Sequence, residues 1–375
     1  MLKKINGVDK IATHYGFKTT KIPPVHINGI PSFRPEEKIT ILKSYLSKKR
    51  KEEDSLVSMV YNNRAVLKNN RISKKNTPKL NNFSFDIIGV ENSIAEAIVI
   101  QTAVTALKEE GFNDVSVDIN SVGDKESFTL FKEELTNYYK NNIDQLHPNC
   151  RDFEKKGDIL NLLTCNHKEC RKLRASAPKS IYFLSEKSQK HLKEVLEHLE
   201  STNITYRINN SLISRDDLFS KIIFEIKSNG TNENQEVLLG KGGRYDDLAE
   251  KITRKKISSA VGISIEIKKV KTKKVPACCC NKPKFYFIQF GPKAKLRSLS
   301  IIELLRQSNL VIQQSLYIDR LTEQIEVAKH SHIPYAIIMG QKEADEDTVI
   351  IKDFRKACQE TIPTACLLPY LQQLK

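Results

Sequence analysis

A pair of glycines followed by an arginine, a tyrosine and two aspartates is the feature that most constrains how this chain can fold. The string GGRYDDL covers residues 242–248, and the strand-like segment AVGISI follows at residues 260–265. Adjacent glycines let the backbone lie against a flat surface without an intervening Cβ, and they accept angles that other residues avoid. A Gly-Gly-Arg sequence alone is also typical of any tight turn. The whole pattern predicts a backbone that lies against a flat ligand, to which Arg244 and Tyr245 supply a planar charge and a ring.

Length, charge and cysteine content indicate the general class of protein. A chain of 375 residues is long enough for two domains with substantial cores. Its sequence has no stretch near the roughly 20 apolar residues that a membrane span requires, and its first residues lack the apolar core of a signal peptide. We therefore expect the eight cysteines to be reduced, in the cytoplasm. The net charge of +16 favours a polyanionic partner such as RNA, although lysine is over-used along the whole chain.

Local patterns divide the chain into segments. Residues 115–124 alternate like a strand, and a helical pattern follows from about residue 125 to 200. A basic segment without periodicity, residues 271–284, is typical of a linker. Beyond it, residues 285–375 alternate between strand and helix patterns, which predicts a small sheet with parallel strands covered by helices.

Several of these motifs together resemble the histidyl-tRNA synthetase family. GGRYD with its following strand is similar to the adenylate- and histidine-binding segment, and residues 33–36, FRPE, resemble the family's RPEGT segment. The phrases IPYAIIMG and TVIIKDFR, from residues 333 and 348, resemble the anticodon-binding domain of class II synthetases. The resemblance implies an α/β protein with an α+β catalytic-type domain built on an antiparallel sheet in residues 1–270, which contains the helical insertion. An anticodon-binding-like α/β domain would follow in residues 285–375.

The resemblance also assigns residues to a substrate pocket. Glu36 lies at the glutamate expected to hold the α-amino group, and Asp86 at an acidic residue that contacts the substrate. Asn82 and Phe219 fall on two further positions that line the histidine pocket. The predicted substrate-binding set is Glu36, Asn82, Asp86, Phe219, Gly242, Gly243, Arg244 and Tyr245.

The arginines that the family uses on phosphates are absent from their expected positions. Activation of an amino acid with ATP needs cations on the phosphates, and arginine serves best because its planar fork binds two oxygens at once. Lys68 and Lys269 stand where the family has arginines, and Ser214 replaces a third, with Arg215 one position further along. Lys68, Arg215 and Lys269 are the catalytic candidates. The alternative is that the two lysines are solvated charges on a surface that has lost its ligand.

A separate group of cysteines and histidines lies in the helical insertion. His147 and Cys150 form one short cluster, and Cys165, His167 and Cys170 form a second. Thiolate and imidazole ligands in two such clusters suit tetrahedral zinc in a structural site. We predict His147, Cys150, Cys165 and Cys170 as the ligands, with His167 as a spare. The alternative is that the cysteines are small buried apolar groups.

Three functions are compatible with these observations. The favoured one is a degenerate synthetase-like protein that binds tRNA or another RNA, retains part of an ATP–Mg²⁺ and histidine pocket, and has impaired or lost aminoacylation. The second is a working histidine–tRNA ligase, and the third is a histidine-sensing regulator like the regulatory subunit of ATP phosphoribosyltransferase. That subunit generally lacks an anticodon-binding domain, so the third ranks last. The shortened segment before residue 33 argues against the family's homodimer, because this segment builds the dimer interface there.

Overall fold

A mixed eight-stranded sheet organises the first two thirds of the molecule. The computed structural model describes residues 7–20, 35–49, 58–65, 80–213, 219–229, 236–254, 259–268, 283–356 and 358–374. The strands of this sheet are β1 (Lys18–Thr19), β2 (Ser58–Ala65), β3 (Leu80–Ile88), β4 (Val115–Gly123), β5 (Tyr206–Ile208), β6 (Ser220–Asn229), β7 (Glu236–Arg244) and β8 (Ala260–Lys268). Their order is β1-β2-β3-β8-β7-β6-β4-β5. The six central strands pair with one another in antiparallel fashion. The two short edge strands, β1 and β5, each pair in parallel with the adjacent strand, β2 and β4 respectively.

Helices cover both faces of this sheet. They are α1 (Gly7–His14), α2 (Pro35–Lys49), α3 (Ile94–Glu109), α4 (Lys125–Asn141), α5 (Pro148–Lys155), α6 (Lys168–Ser176), α7 (Glu186–Ser201) and α8 (Asp246–Thr253). α3 is apolar on nearly every face, and all its residues from 94 to 107 are buried between the sheet and its neighbouring helices. On the opposite face, α2, α8 and the insertion helices α4, α5 and α6 share a second apolar core. Helices α4 to α7 lie between residues 125 and 201, where the sequence predicted a helical insertion from about residue 125 to 200.

The last ninety residues form a second sheet of five strands together with the helices around it. Its strands are β9 (Phe285–Gln289), β10 (Ile312–Gln314), β11 (Tyr335–Met339), β12 (Thr348–Asp353) and β13 (Cys358–Pro363). The helices are α9 (Pro292–Gln307), α10 (Leu321–His330), α11 (Gln341–Asp345) and α12 (Leu367–Gln373). The order is β10-β9-β11-β12-β13, with β10, β9 and β11 parallel and the last two strands antiparallel. The predicted parallel α/β sheet is confirmed, and the antiparallel pair extends it.

The two sheets share one continuous apolar core, because α1, α3 and α7 pack against the C-terminal helix α9. Polar contacts reinforce this packing. The Tyr15 hydroxyl donates to Glu303 Oε2 at 2.5 Å, and Gln314 Nε2 donates to the Tyr15 carbonyl at 2.9 Å. Burial and the Glu303 carboxylate raise the pKa of Tyr15, so the hydroxyl stays a donor. In the part of the chain that the structure describes, no helix is long and apolar enough to cross a bilayer.

Candidate functional site

Arg244 ends strand β7, and its guanidinium lies wholly inside the protein. Its Nε donates to Glu96 Oε1 at 2.7 Å and its Nη2 donates to Glu96 Oε2 at 2.5 Å, which is the bidentate geometry that arginine favours. A further donor, Nη1, bonds the Val90 carbonyl at 2.9 Å. Arg244, which was predicted to supply a planar charge to a ligand, is paired with Glu96 in this structure. Its planar charge joins β7 to helix α3 instead.

The partner of this arginine is a buried carboxylate that also contacts a histidine ring. Burial alone would raise the pKa of Glu96, but the Arg244 guanidinium and the His191 ring, whose Nε2 lies 2.8 Å from Oε1, lower it to about 2. Glu96 is thus ionised at neutral pH and needs its partners in place. Sequence analysis missed Glu96, because no local pattern linked it to Arg244.

The paired glycines make room for aromatic rings of the same chain. A Cβ on Gly242 would lie 2.5 Å from the Phe224 ring and 2.6 Å from the Gly262 carbonyl oxygen. A Cβ on Gly243 would lie 2.5 Å from the ring of Phe219, which is itself buried. Real Cβ contacts are never this short, so the glycines are required by strand packing. Gly242 therefore packs against Phe224, and Gly243 packs against Phe219. The sequence predicted Gly242, Gly243 and Phe219 as ligand-binding residues.

Tyr245 follows Arg244 and points to the other face of the sheet, as alternation along a strand requires. Its hydroxyl donates to Asp86 Oδ1 at 2.9 Å, and Lys38 Nζ on helix α2 donates to the same oxygen at 2.6 Å. The side chains of all three residues are wholly buried. Sequence analysis predicted Asp86 and Tyr245 for one pocket, and the structure brings them together. It missed Lys38, which no sequence pattern linked to them.

Burial shifts the titration of this polar group. Desolvation raises the pKa of Asp86, and the Lys38 ammonium opposes that shift. Burial and the adjacent Asp86 carboxylate raise the pKa of Tyr245 well above its usual value, so its hydroxyl keeps its proton. The second oxygen of Asp86, Oδ2, has no hydrogen-bond partner among the described residues.

The remaining predicted pocket residues are more open. Glu36 lies exposed in the first turn of α2, and Asn82 is partly exposed on β3. The acidic side chain that reaches the sheet from this helix is the neighbour of Glu36, since Ser264 Oγ donates to Glu37 Oε2 at 2.8 Å. The three catalytic candidates, Lys68, Arg215 and Lys269, lie outside the described residues, as does Ser214.

Cys150, Cys165, His167 and Cys170 converge in the helical insertion. Their potential ligand atoms all lie within 4.8 Å of one another. Cys150 Sγ is 3.4 Å from Cys165 Sγ, and His167 Nδ1 lies 3.2 and 3.1 Å from these two sulfurs. Four ligands at zinc-bond length from a tetrahedral ion are separated by about 3.5–3.8 Å. The cluster therefore has a composition and size that suit one zinc ion.

The histidine of this cluster corrects the predicted ligand set. His167, treated above as a spare, provides the nitrogen, whereas His147 stacks its ring on that of His167 with centroids 3.8 Å apart and planes 7° apart. Nδ1 of His147 is buried without a hydrogen-bond partner in the described part of the chain. His147 thus supports the ring of the candidate ligand and is not in the four-atom group.

The thiols of the cluster differ in acidity. Burial tends to raise the pKa of Cys165, but hydrogen bonds from the His167 backbone and ring, among others, lower it to about 7. Burial and the neighbouring sulfurs raise the pKa of Cys150 to about 12. A divalent cation would favour the thiolate form of each, because thiolates are the ligands that zinc binds.

Comparisons with known proteins identify relatives of both parts of the chain. The family model described as histidyl-tRNA synthetase matches residues 45–270, and the model described as anticodon binding domain matches residues 288–374. A histidine–tRNA ligase of Halothermothrix orenii is 29% identical over 292 residues, which cover 77% of this chain and 69% of that protein. A histidine–tRNA ligase of Rippkaea orientalis is 25% identical over 348 residues, covering 92% and 80% of the two chains.

The fold has a solved counterpart. The structure of apo histidyl-tRNA synthetase from S. aureus superimposes with a TM-score of 0.52 at 20% sequence identity, covering 97% of this chain and 93% of the other. At this identity the likeness concerns the fold, a class II catalytic-type sheet with a C-terminal anticodon-binding-type domain.

Proposed function

The chain belongs to the histidyl-tRNA synthetase family, and from that membership we propose that it binds tRNA or another RNA while its activation of histidine is impaired or lost. The observation that carries the proposal is the buried contact of Lys38 with Asp86. Asp86 stands at the acidic position that meets the substrate in this family, and here its carboxylate is already neutralised by a cation of the same chain. A substrate amine or imidazole would have to displace that cation.

The missing arginines point in the same direction. Lys68, Ser214 and Lys269 replace the side chains that would hold phosphates in the family pattern. A lysine supplies a point charge without the bidentate geometry of arginine, and a serine supplies no charge. Loss of one preorganised donor typically costs ~10²–10³-fold in rate. ATP with Mg²⁺ would remain the cofactor of any residual activity. Histidine-dependent pyrophosphate exchange tests this part of the proposal, since it measures activation apart from transfer to tRNA.

RNA binding is proposed for the C-terminal domain and the basic surface. The family model of the anticodon binding domain covers residues 288–374, and the chain carries a net charge of +16. The presence of this domain favours an RNA-binding role over that of a histidine-sensing regulator. A cytoplasmic location belongs to the same proposal, because an RNA partner and reduced cysteines are expected there.

RNA binding by the full-length protein should depend steeply on salt. Each phosphate contact releases counterions, so log K is expected to fall linearly with log salt, by ~0.7–0.9 for each contact. If contacts to bases add specificity, one tRNA should compete better than an unrelated RNA of equal length at the same salt. Filter binding or fluorescence anisotropy across a salt series measures both. Absence of RNA binding near physiological ionic strength would refute this half of the proposal.

We also propose that Cys150, Cys165, His167 and Cys170 hold one structural zinc ion. The cluster joins α5, the turn that ends at Cys165 and α6, so a bound ion would cross-link three short elements of the insertion. Short helices of eight and nine residues gain little stability on their own, which gives such a cross-link a physical purpose.

Metal analysis of the dialysed protein should find about one zinc per chain. Replacing both Cys165 and Cys170 by serine should abolish it and lower the melting temperature, because the ligands are lost. The matched control replaces the two exposed cysteines Cys358 and Cys366. The choice of histidine is tested by comparing His167→Ala, which should weaken zinc binding sharply, with His147→Ala, which should retain the ion. Equal zinc content in all four variants would exclude the site.

A further inference from the structure

Lys38 occupies an unusual position for a lysine. It lies in the N-terminal part of α2, where the helix dipole disfavours a positive charge, and its side chain is wholly buried. Lysine is rarely buried unless it is paired. The ammonium ends 2.6 Å from Asp86 Oδ1 and lies 5.8 Å from the centre of the Tyr245 ring. Its place in the fold is therefore set by this anionic and aromatic environment.

The fold contains a specific recess for the Asp86 carboxylate. Asp86 on β3 pairs with Gly262 on β8, and Gly262 pairs in turn with Gly243 on β7. A Cβ on Gly262 would lie only 1.9 Å from Asp86 Oδ1, so this position has to be glycine for the carboxylate to fit. The Tyr245 hydroxyl donates to the same oxygen. A buried acid with a fitted recess and a neutral donor beside it is the arrangement of a cation-binding pocket.

We infer that Lys38 is a built-in occupant of this pocket. The pocket selects a primary ammonium ion, and it is closed to outside ligands while Lys38 is present. The inference rests on the proposed loss of histidine activation and deepens it, because it names the residue that fills the substrate site. The Lys38 ammonium already pairs with the Asp86 carboxylate, and both side chains are wholly buried. A second cation would have to displace Lys38 from this buried pair.

Removal of the lysine side chain should reopen the pocket. Lys38→Ala deletes three methylene groups and the ammonium, which together correspond to n-propylammonium. The variant is expected to melt at a lower temperature than the unmodified protein, since Asp86 is left buried without its cation. n-Propylammonium chloride should then raise its melting temperature saturably, because a ligand that binds only the folded state stabilises it.

Three controls make this result specific. Sodium chloride and n-propanol at the same concentrations separate charge and apolar effects from binding of the ammonium. Lys43→Ala removes an exposed lysine from the same helix and should respond like the unmodified protein. A saturable shift confined to Lys38→Ala supports the inference. No shift, or the same shift in Lys43→Ala and the unmodified protein, overturns it.

A second measurement uses the unmodified protein and needs no variant to fold. Amine acetylation followed by peptide mass spectrometry should modify Lys38 at least roughly tenfold more slowly than Lys43, since a buried amine reacts only through local opening. Equal rates would overturn the inference. The proposed function has a separate test. Rapid histidine-dependent pyrophosphate exchange would contradict it, whatever the results of the n-propylammonium and acetylation experiments. Conversely, if the amine test fails and no exchange activity is found, only the inference about Lys38 is refuted. The proposed loss of histidine activation then stands.

Discussion

Replacing Arg244 by methionine should lower the free energy of unfolding by about 3–5 kcal/mol. The substitution keeps most of the side-chain volume but leaves the Glu96 carboxylate buried beside His191 without its main partner. Removing one member of a buried ion pair is costly because the remaining charge is uncompensated in a medium of low dielectric constant. Chemical denaturation monitored by circular dichroism measures the loss.

An exposed ion pair provides the matched control. Arg320 and Glu323 lie 3.4 Å apart on α10, with side chains 80% and 50% exposed. Arg320→Met should therefore change stability little, because exposed pairs are screened by water and salt. Similar losses in the two variants would contradict the structural role assigned to Arg244.

The difference in unfolding free energy between the unmodified protein and Arg244→Met should depend on pH, which gives an internal check on the same prediction. The pKa of Glu96 in the folded protein is about 2, below its ordinary value of 4.5. A carboxylate whose pKa is lowered by folding contributes its full stabilisation at pH values above its unfolded-state pKa. This contribution is lost as the pH falls through the folded-state pKa. The gap between the unmodified protein and Arg244→Met should therefore be complete near neutral pH and narrow between about pH 4.5 and 2. A stability difference that widened as the pH fell would contradict the prediction.

The sequence predicted regular elements well where its periodicity was strong. Strand β4 has alternating apolar positions, the insertion helices have helical periodicity, and strands β9 and β11 are short continuous apolar runs. These patterns depend on local spacing and on which face is buried, and both can be read from a single segment.

The roles of residues in the glycine motif could not be read in the same way. A glycine shows that space is needed beside the backbone, but it does not show what fills that space. Here the Phe224 and Phe219 rings fill it, and they belong to the same chain. Arg244 pairs with Glu96, which is 148 positions away, and Lys38 reaches Asp86 across 48 positions. Such pairings depend on how distant elements pack, which local spacing does not encode.

The choice between two histidines shows the same limit at a smaller scale. The spacing of cysteines and histidines correctly located the cluster in the insertion. It did not determine that His167 points toward the sulfurs while His147 stacks on its outer face. His147 directly precedes α5 and His167 directly precedes α6, so the direction of each ring depends on how these two helices pack, which sequence spacing leaves undetermined.

The loss of histidine activation is the second large effect that we expect. We proposed that Lys68, Ser214 and Lys269 stand at three arginine positions of the family pattern. We also proposed that Asp86, which pairs with Lys38, stands at the acidic substrate position. Even if these changes are far from additive, one lost phosphate donor is enough to slow activation by ~10²-fold. The filled substrate site should add to this by weakening histidine binding.

Histidine-dependent exchange of pyrophosphate into ATP by the purified full-length protein tests this claim most directly. The histidine–tRNA ligase of Halothermothrix orenii, 29% identical, serves as the active reference under the same conditions. The proposed function predicts exchange at least ~10²-fold slower than the reference at saturating ATP and histidine. Exchange at a rate comparable to the reference would contradict it and show that the chain activates histidine.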